Sequence, residues 1–230
     1  MLIKRWIPSP FRHPRSASDP LDMIIIHHIG SKGGKLYGVG GAVAWFTNEE
    51  LHRNKKTGKV ENKVSAHYII PREPYEGRSD MIALVKHEDV AYHAGRSSWT
   101  VGGEARTNIN RYSIGIELEG DGNLVEYTDF QYERLAELVK GLMGEHGIPE
   151  ENIVGHEDIA PGRKIDPGRL FDWKRFRTDI HPPQTEEGQP PAPEAVAAVP
   201  DRDFHMNGGE QPRGGFRSLL QAIIGIFVRH

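Results

Sequence analysis

The 230-residue chain has no cysteine. That excludes a disulfide framework, thiolate-held zinc or iron–sulfur centres, and a cysteine nucleophile. Any metal has to be held by His, Asp or Glu. Charge of one sign is lacking as well, with 29 Lys+Arg against 32 Asp+Glu and a formal net charge of −3. The strong basic balance of a nucleic-acid coat is therefore missing, and no nucleic-acid partner is expected. Long apolar runs are scarce. Residues 1–13 carry basic side chains but no apolar central region, and Pro8 and Pro10 interrupt them, so they do not read as a secretory signal. The apolar stretch at 219–228 is too short to span a bilayer as a helix. What is present is 37% hydrophobic residues, 27% charged residues and twelve histidines. At about 150 residues per domain, this is one domain with spare sequence or two small ones.

Residues 1–22, rich in Pro, Ser and Arg, read as an extended lead-in. The run Met23-Ile24-Ile25-Ile26 predicts a strand buried on both faces. It ends in His27-His28 and a loop marked by Gly30, Gly33 and Gly34. A helix is predicted over 43–54, capped at Thr47 or Asn48, and a charged surface loop over 55–63. Further strands are predicted at 66–70, stopped by Pro71, at 81–87, at 112–119 and at 153–154. Residues 90–95 fit either state. The 3.6-residue spacing of Phe130, Leu135, Leu138, Val139, Leu142 and Met143 predicts a helix over 129–146, with Thr128 as N-cap and Gly147 as C-cap. A last helical turn or two is predicted at 171–176. Strands alternating with helices predict a single α/β domain over 23–179. At 180–215 Pro, Gly, Glu and Gln replace large apolar residues, as in a linker. Residues 216–230 regain hydrophobicity as a short helix whose charges are Arg217 and Arg229. Such a segment suits weak contact with an anionic membrane or lipopolysaccharide, and equally suits docking on the domain or a dimer contact.

Catalytic zinc usually has three protein ligands and an open position for water. Rigid strand ends fix ligand directions well, and here two predicted strands end in histidine, at His27 and His156. Asp166 follows ten residues after His156, in Gly162-Arg163-Lys164-Ile165-Asp166-Pro167-Gly168. Pro167 restricts the backbone before it and Gly168 permits a sharp turn. That turn can fold Asp166 towards His156. The same residues also fit a surface histidine and an ordinary turn.

The segments IIIHH, VSAHYII, AYHAG, SIGIELEG and GHEDIAPGRKIDPG, in that order, resemble the type 2 zinc N-acetylmuramoyl-L-alanine amidases. That family includes amidase-type phage endolysins, peptidoglycan-recognition proteins and recycling amidases of the AmpD type. The resemblance covers about residues 23–178 and extends to YTDFQYERL and FDWKRFR, which are similar to the AmpD type. It implies an α/β fold with a central mixed β-sheet flanked by helices, and one Zn2+ per chain, held by His27, His156 and Asp166. It also implies Glu117 as the catalytic carboxylate and Lys164 as the transition-state cation. Relatives without this Glu use a Tyr from the strand matching SAHYII, where Ala66 stands here. The implied reaction is hydrolysis of the amide between N-acetylmuramic acid and L-alanine, with peptidoglycan or a muropeptide as the partner. A monomer is expected.

Beyond that set, His67, His93, Trp99 and Arg163 are candidate substrate contacts. Each has a plainer reading: buried hydrogen bonding for the two histidines, a packing anchor for Trp99, a solvated loop residue for Arg163. His28 reads as a supporting or core residue and Glu119 as a structural carboxylate. The apolar tail favours a lytic, endolysin-type enzyme that is made in the cytoplasm and acts on the wall after release. The alternative is a cytoplasmic enzyme that recycles 1,6-anhydromuramyl peptides. A third reading, a non-catalytic peptidoglycan-binding module, is weakened by the presence of every candidate ligand and Glu117.

Overall fold

The structure, a computed structural model, describes residues 2–181. All but the first two residues of the linker expected at 180–215 lie outside the described residues. So does the helix expected at 216–230, with its membrane or lipopolysaccharide contact.

The described chain opens with two short strands, β1 (Lys4–Trp6) and β2 (Arg12–Pro14), followed by β3 (Met23–His28). The small hairpin β4 (Ser31–Lys32) and β5 (Lys35–Leu36) leads into helix α1 (Val39–Thr47). Strands β6 (Tyr68–Ile70), β7 (Met81–Ala83) and β8 (Asp89–Ala91) come next. A hairpin of β9 (Ser98–Val101) and β10 (Glu104–Thr107) precedes β11 (Ser113–Leu118). Helix α2 (Asp129–His146), β12 (Ile153–Gly155), the single-turn α3 (His156–Ile159) and α4 (Trp173–Ile180) complete the order.

Six strands form the central sheet in the order β1-β7-β6-β11-β3-β12. β11 runs parallel to both β3 and β6, β12 parallel to β3, and β6 antiparallel to β7. The sheet is therefore mixed and flanked by helices, as expected. Side-chain alternation divides its two faces. Ile24, Ile26, Ile114, Ile116 and Leu118 point into a core with Leu135, Leu138, Val139 and Leu142 of α2 and Phe176 of α4. Met23 and Ile25 point to the other face, among Ala94, Ile109, Val154 and Ile159. His27 follows them at the same spacing, and Ser113, Gly115 and Glu117 follow it on β11. β11 is buried throughout. Its alternation therefore marks a core face and a site face, not a core face and a solvent face.

Helix α2 spans the predicted residues. The Thr128 hydroxyl accepts from the Gln131 backbone N–H and the Gln131 side chain accepts from that of Thr128, while Gly147 turns left-handed at the far end. Other elements differ from expectation. The helix predicted over 43–54 begins at Val39 and stops at Thr47. Asn48 then accepts a hydrogen bond from the Glu50 N–H and starts a separate 3-10 turn, Glu49–His52. The hairpin β9–β10 was not predicted. Its turn is Gly102-Gly103, both at positive φ, a geometry matched to strand twist.

The lead-in is drawn into the domain. β1 pairs with β7 at the sheet edge and β2 pairs with β8. Phe11 is fully buried. The Arg15 guanidinium donates to the carbonyls of His87, Asp89, Arg111 and Ser113. Extended backbone at the N-terminus thus completes the sheet and does not stand outside it.

Candidate metal centre

Three elements deliver to one point three side chains that could hold a metal ion. His27 lies near the end of β3, and His156 begins α3 directly after β12. Asp166 returns from the following loop, where its carbonyl accepts from the Glu157 N–H at 2.9 Å. Its turn rests in a seat of glycines. A Cβ on Gly122 would stand 2.0 Å from the Pro167 carbonyl oxygen, and one on Gly155 would stand 2.7 Å from Pro167 Cδ. Gly168, at φ +94°, would meet Gly122 at 2.6 Å.

His27 Nδ1 and His156 Nδ1 are 2.9 Å apart, and Asp166 Oδ2 lies 3.1 Å and 2.9 Å from them. All three residues are buried. Donor atoms tetrahedrally disposed around zinc at 2.0–2.1 Å stand about 3.3 Å apart, so the spacing suits one such ion. Proton placement points the same way. His156 Nε2 lies 3.1 Å from the Ala94 carbonyl, which only accepts. The proton of a neutral His156 therefore sits on Nε2, and its Nδ1 presents a lone pair. His27 Nε2 lies 2.9 Å from His93 Nδ1. Burial, foremost, holds the His27 pKa down to about 4, so the ring is neutral at pH 7. A carboxylate facing ring lone pairs is a donor set for a cation. A second group, His87, Glu145 and His146, contrasts with it. There the Tyr68 hydroxyl can donate to His87 Nε2 at 2.7 Å and His87 Nδ1–H to His146 Nε2 at 2.8 Å, which completes the hydrogen bonding without an ion.

Glu117 stands opposite His27 in the β11–β3 register. It is 7% exposed, and its Oε2 has no hydrogen-bond partner. Burial, then the Asp166 charge, pushes its pKa well above the usual value, with Lys164 opposing. His27, His156, Asp166, Glu117 and Lys164 line one cleft of 730 Å³, with Tyr37, Trp45 and Ile165 exposed along it.

The other candidates are placed differently. His67 is fully buried, its Nδ1 accepting from the Gly115 N–H and its Nε2 facing the Asp89 carbonyl, and it does not line the cleft. Its surroundings match the structural reading. His93 reaches the cleft but points at His27. Trp99 sits on β9 and packs against the Met23–Ile25 side core, away from the cleft. Arg163 borders the cleft while donating to the Ala94 and Arg96 carbonyls. Glu119 is structural, its two oxygens accepting from the N–H groups of Val39 and Arg72. His28 Nδ1 accepts from the Gly122 N–H beside the glycine seat. Tyr37 and Trp45 went unremarked in the sequence, since only the fold shows that two exposed aromatics border the same cleft.

A buried His–His–Asp donor set at the strand ends of a mixed sheet, beside an unpartnered carboxyl and a lysine, is the equipment of a metal-assisted hydrolase. The sequence model described as N-acetylmuramoyl-L-alanine amidase matches residues 17–169, and the chain belongs to that family. It is similar to the 1,6-anhydro-N-acetylmuramyl-L-alanine amidase AmpD of Citrobacter freundii, at 35% identity over 184 residues, 80% of this chain and 93% of the relative. N-acetylmuramoyl-L-alanine amidase AmiD of Escherichia coli K12 is 38% identical over 127 residues, 51% of this chain and 45% of the relative. Among solved structures, a selenomethionine AmpD derivative superposes with a TM-score of 0.64 at 34% identity, covering 78% of this chain and 96% of that one. AmiD from E. coli, solved with anhydro-N-acetylmuramic acid-L-Ala-D-gamma-Glu-L-Lys, gives 0.53 at 30% identity, covering 73% and 60%. The endolysin amidase LysCS of Clostridium intestinale, at 18% identity, TM-score 0.52 and coverage of 77% and 94%, shares the fold alone.

Proposed function

We propose that this amidase is a zinc enzyme that hydrolyses 1,6-anhydromuramyl peptides at the bond between the muramic lactyl carbonyl and the L-alanine nitrogen. The observation that carries this reading is 35% identity across 93% of a 1,6-anhydro-N-acetylmuramyl-L-alanine amidase. The lytic role favoured by the apolar tail has no comparable support, because the tail lies outside the described residues and the endolysin likeness is one of fold. The substrate is then a soluble muropeptide, and the place of action that goes with recycling is the cytoplasm.

His27, His156 and Asp166 would hold the zinc, which when bound polarises the amide carbonyl and acidifies water. Glu117 takes a proton from the attacking water at its unpartnered Oε2 and returns it to the departing alanine nitrogen. A pKa raised by burial suits the second half of that task, and a bound cation lowers it towards the range needed for the first. Lys164 places positive charge where the carbonyl oxygen becomes anionic.

The test is to incubate zinc-loaded protein separately with soluble anhydromuramyl tripeptide and with purified polymeric peptidoglycan, reading products by mass spectrometry. Release of tripeptide from the soluble compound, with little from the polymer, is expected. Efficient release of stem peptides from the polymer overturns the recycling reading in favour of lysis.

A further inference from the structure

Residues 93 and 94 touch both histidines of the donor set. His93 Nδ1 faces His27 Nε2 at 2.9 Å, and the Ala94 carbonyl accepts from His156 Nε2 at 3.1 Å. The backbone of this pair is clamped, since the N–H groups of His93 and Ala94 both donate to Asn110 Oδ1, at 3.0 and 2.7 Å. The His93 ring is placed by shape. It lies against β11 at Gly115, where a Cβ would stand 2.4 Å from its Cγ. A glycine inside a fully buried strand weakens the strand, and often marks close approach by another group; here that group is the imidazole.

The direction of the hydrogen bonds follows from their far end. The Ser113 hydroxyl donates its proton to the Ile109 carbonyl at 2.7 Å. Towards His93 Nε2, 3.3 Å away, it can then only accept. His93 therefore carries its proton on Nε2 and accepts at Nδ1. His27 in turn donates from Nε2 and leaves Nδ1 bare, aimed at His156 and Asp166. Every hydrogen in the chain Ile109–Ser113–His93–His27 is assigned by a carbonyl that cannot donate.

We propose that His93, seated on Gly115 and directed by Ser113, is a positioning residue for the metal centre: it sets the tautomer of His27 and turns its Nδ1 lone pair towards the ion. The inference rests on the donor set binding zinc. Ligating histidines are commonly oriented through their second nitrogen, and loss of such a partner lowers metal affinity by about 10–100-fold. In this chain the partner is a second neutral imidazole rather than a carboxylate, so orientation is achieved with no added negative charge.

The experiment is zinc competition against a chelator of known affinity, with the cobalt-substituted absorption spectrum as a second readout. The proteins are the full chain and its variants His93→Leu, His93→Asn, Ser113→Ala and Gly115→Ala. His93→Leu is expected to weaken zinc by 10–100-fold and shift the cobalt bands. His93→Asn, which keeps an acceptor near the position of Nδ1, is expected to recover most of that loss. Gly115→Ala is expected to weaken zinc although it removes no partner. Affinity and spectrum unchanged in His93→Leu overturn the proposal. If that variant does not fold, Ser113→Ala carries the test: a several-fold loss is expected, and an unchanged affinity overturns the relay. Failure of the metal reading looks different, because the unsubstituted protein would then bind no zinc that His156→Ala removes.

Discussion

Glu117 and His27 face the same cleft from matched positions on neighbouring parallel strands, and burial acts on them in opposite directions. It lowers the imidazole pKa to about 4 and raises the carboxyl well above its usual value. Without a cation both groups are driven towards their uncharged forms. Each therefore responds to positive charge arriving between the strands.

The two residues separate under substitution. Glu117→Gln should keep the metal and lose turnover by about 10²–10⁴-fold, the range of a general acid–base contribution. His27→Ala, His156→Ala and Asp166→Ala should lose metal and turnover together. Metal content by elemental analysis, alongside release of tripeptide from the soluble substrate, checks both. Glu117→Gln at full activity would remove the acid–base assignment.

Glu117 also makes the metal-free protein less stable as pH rises. Its folded pKa lies above its unfolded value of about 4.5. Between the two the native state holds more protons than the unfolded one, so stability falls as pH rises through this window. Metal-free Glu117→Gln lacks that loss. Its melting temperature relative to the unsubstituted protein should rise from pH 4 to pH 8. About 1 kcal/mol corresponds to roughly 2–4 °C for a domain of this size. Thermal melts in chelator at the two pH values measure the gap, and a constant gap would contradict the burial argument.

Phe11 ties the N-terminal segment to the domain. Phe11→Ala should cost about 3–5 kcal/mol, as truncation of a buried aromatic does. Urea unfolding measures it, and a loss under 1 kcal/mol would return residues 1–22 to the status of a lead-in.

At the other end, α4 closes the domain with Ile180, which is 4% exposed. A chain ending at His181 should fold with a melting temperature within about 2 °C of the full chain, less than 1 kcal/mol for this size. It should also cleave the soluble substrate at the same rate. Loss of folding would move the domain boundary beyond 181.

Much of this was legible in the residues, unevenly. The 129–146 helix is read from its caps and spacing because those signals are local. β3 is read from its unbroken isoleucines, and the donor set from its motif resemblance. β11 is legible as a strand, but not what its second face meets. Its apolar–polar alternation ordinarily means one wet face, yet Ser113, Gly115 and Glu117 are polar or small because they build the site. His93 and His67 look alike in sequence, each beside alanine in a buried segment. Only the tertiary arrangement shows that one meets His27 while the other satisfies the Gly115 N–H. The lead-in reads as extended, but its pairing with the domain is not legible, because three-residue edge strands carry too little pattern.

The glycine seat beneath Asp166 has a consequence for anyone mapping this centre by mutation. Gly122 has no side chain, touches no donor atom and lies far from Asp166 along the chain. A methyl group there would still need space held by the Pro167 carbonyl and would displace the turn that carries the carboxylate. A screen scored on metal loss would return Gly122 alongside the three ligands, and a ligand list compiled from that screen would contain a residue with nothing to bind with.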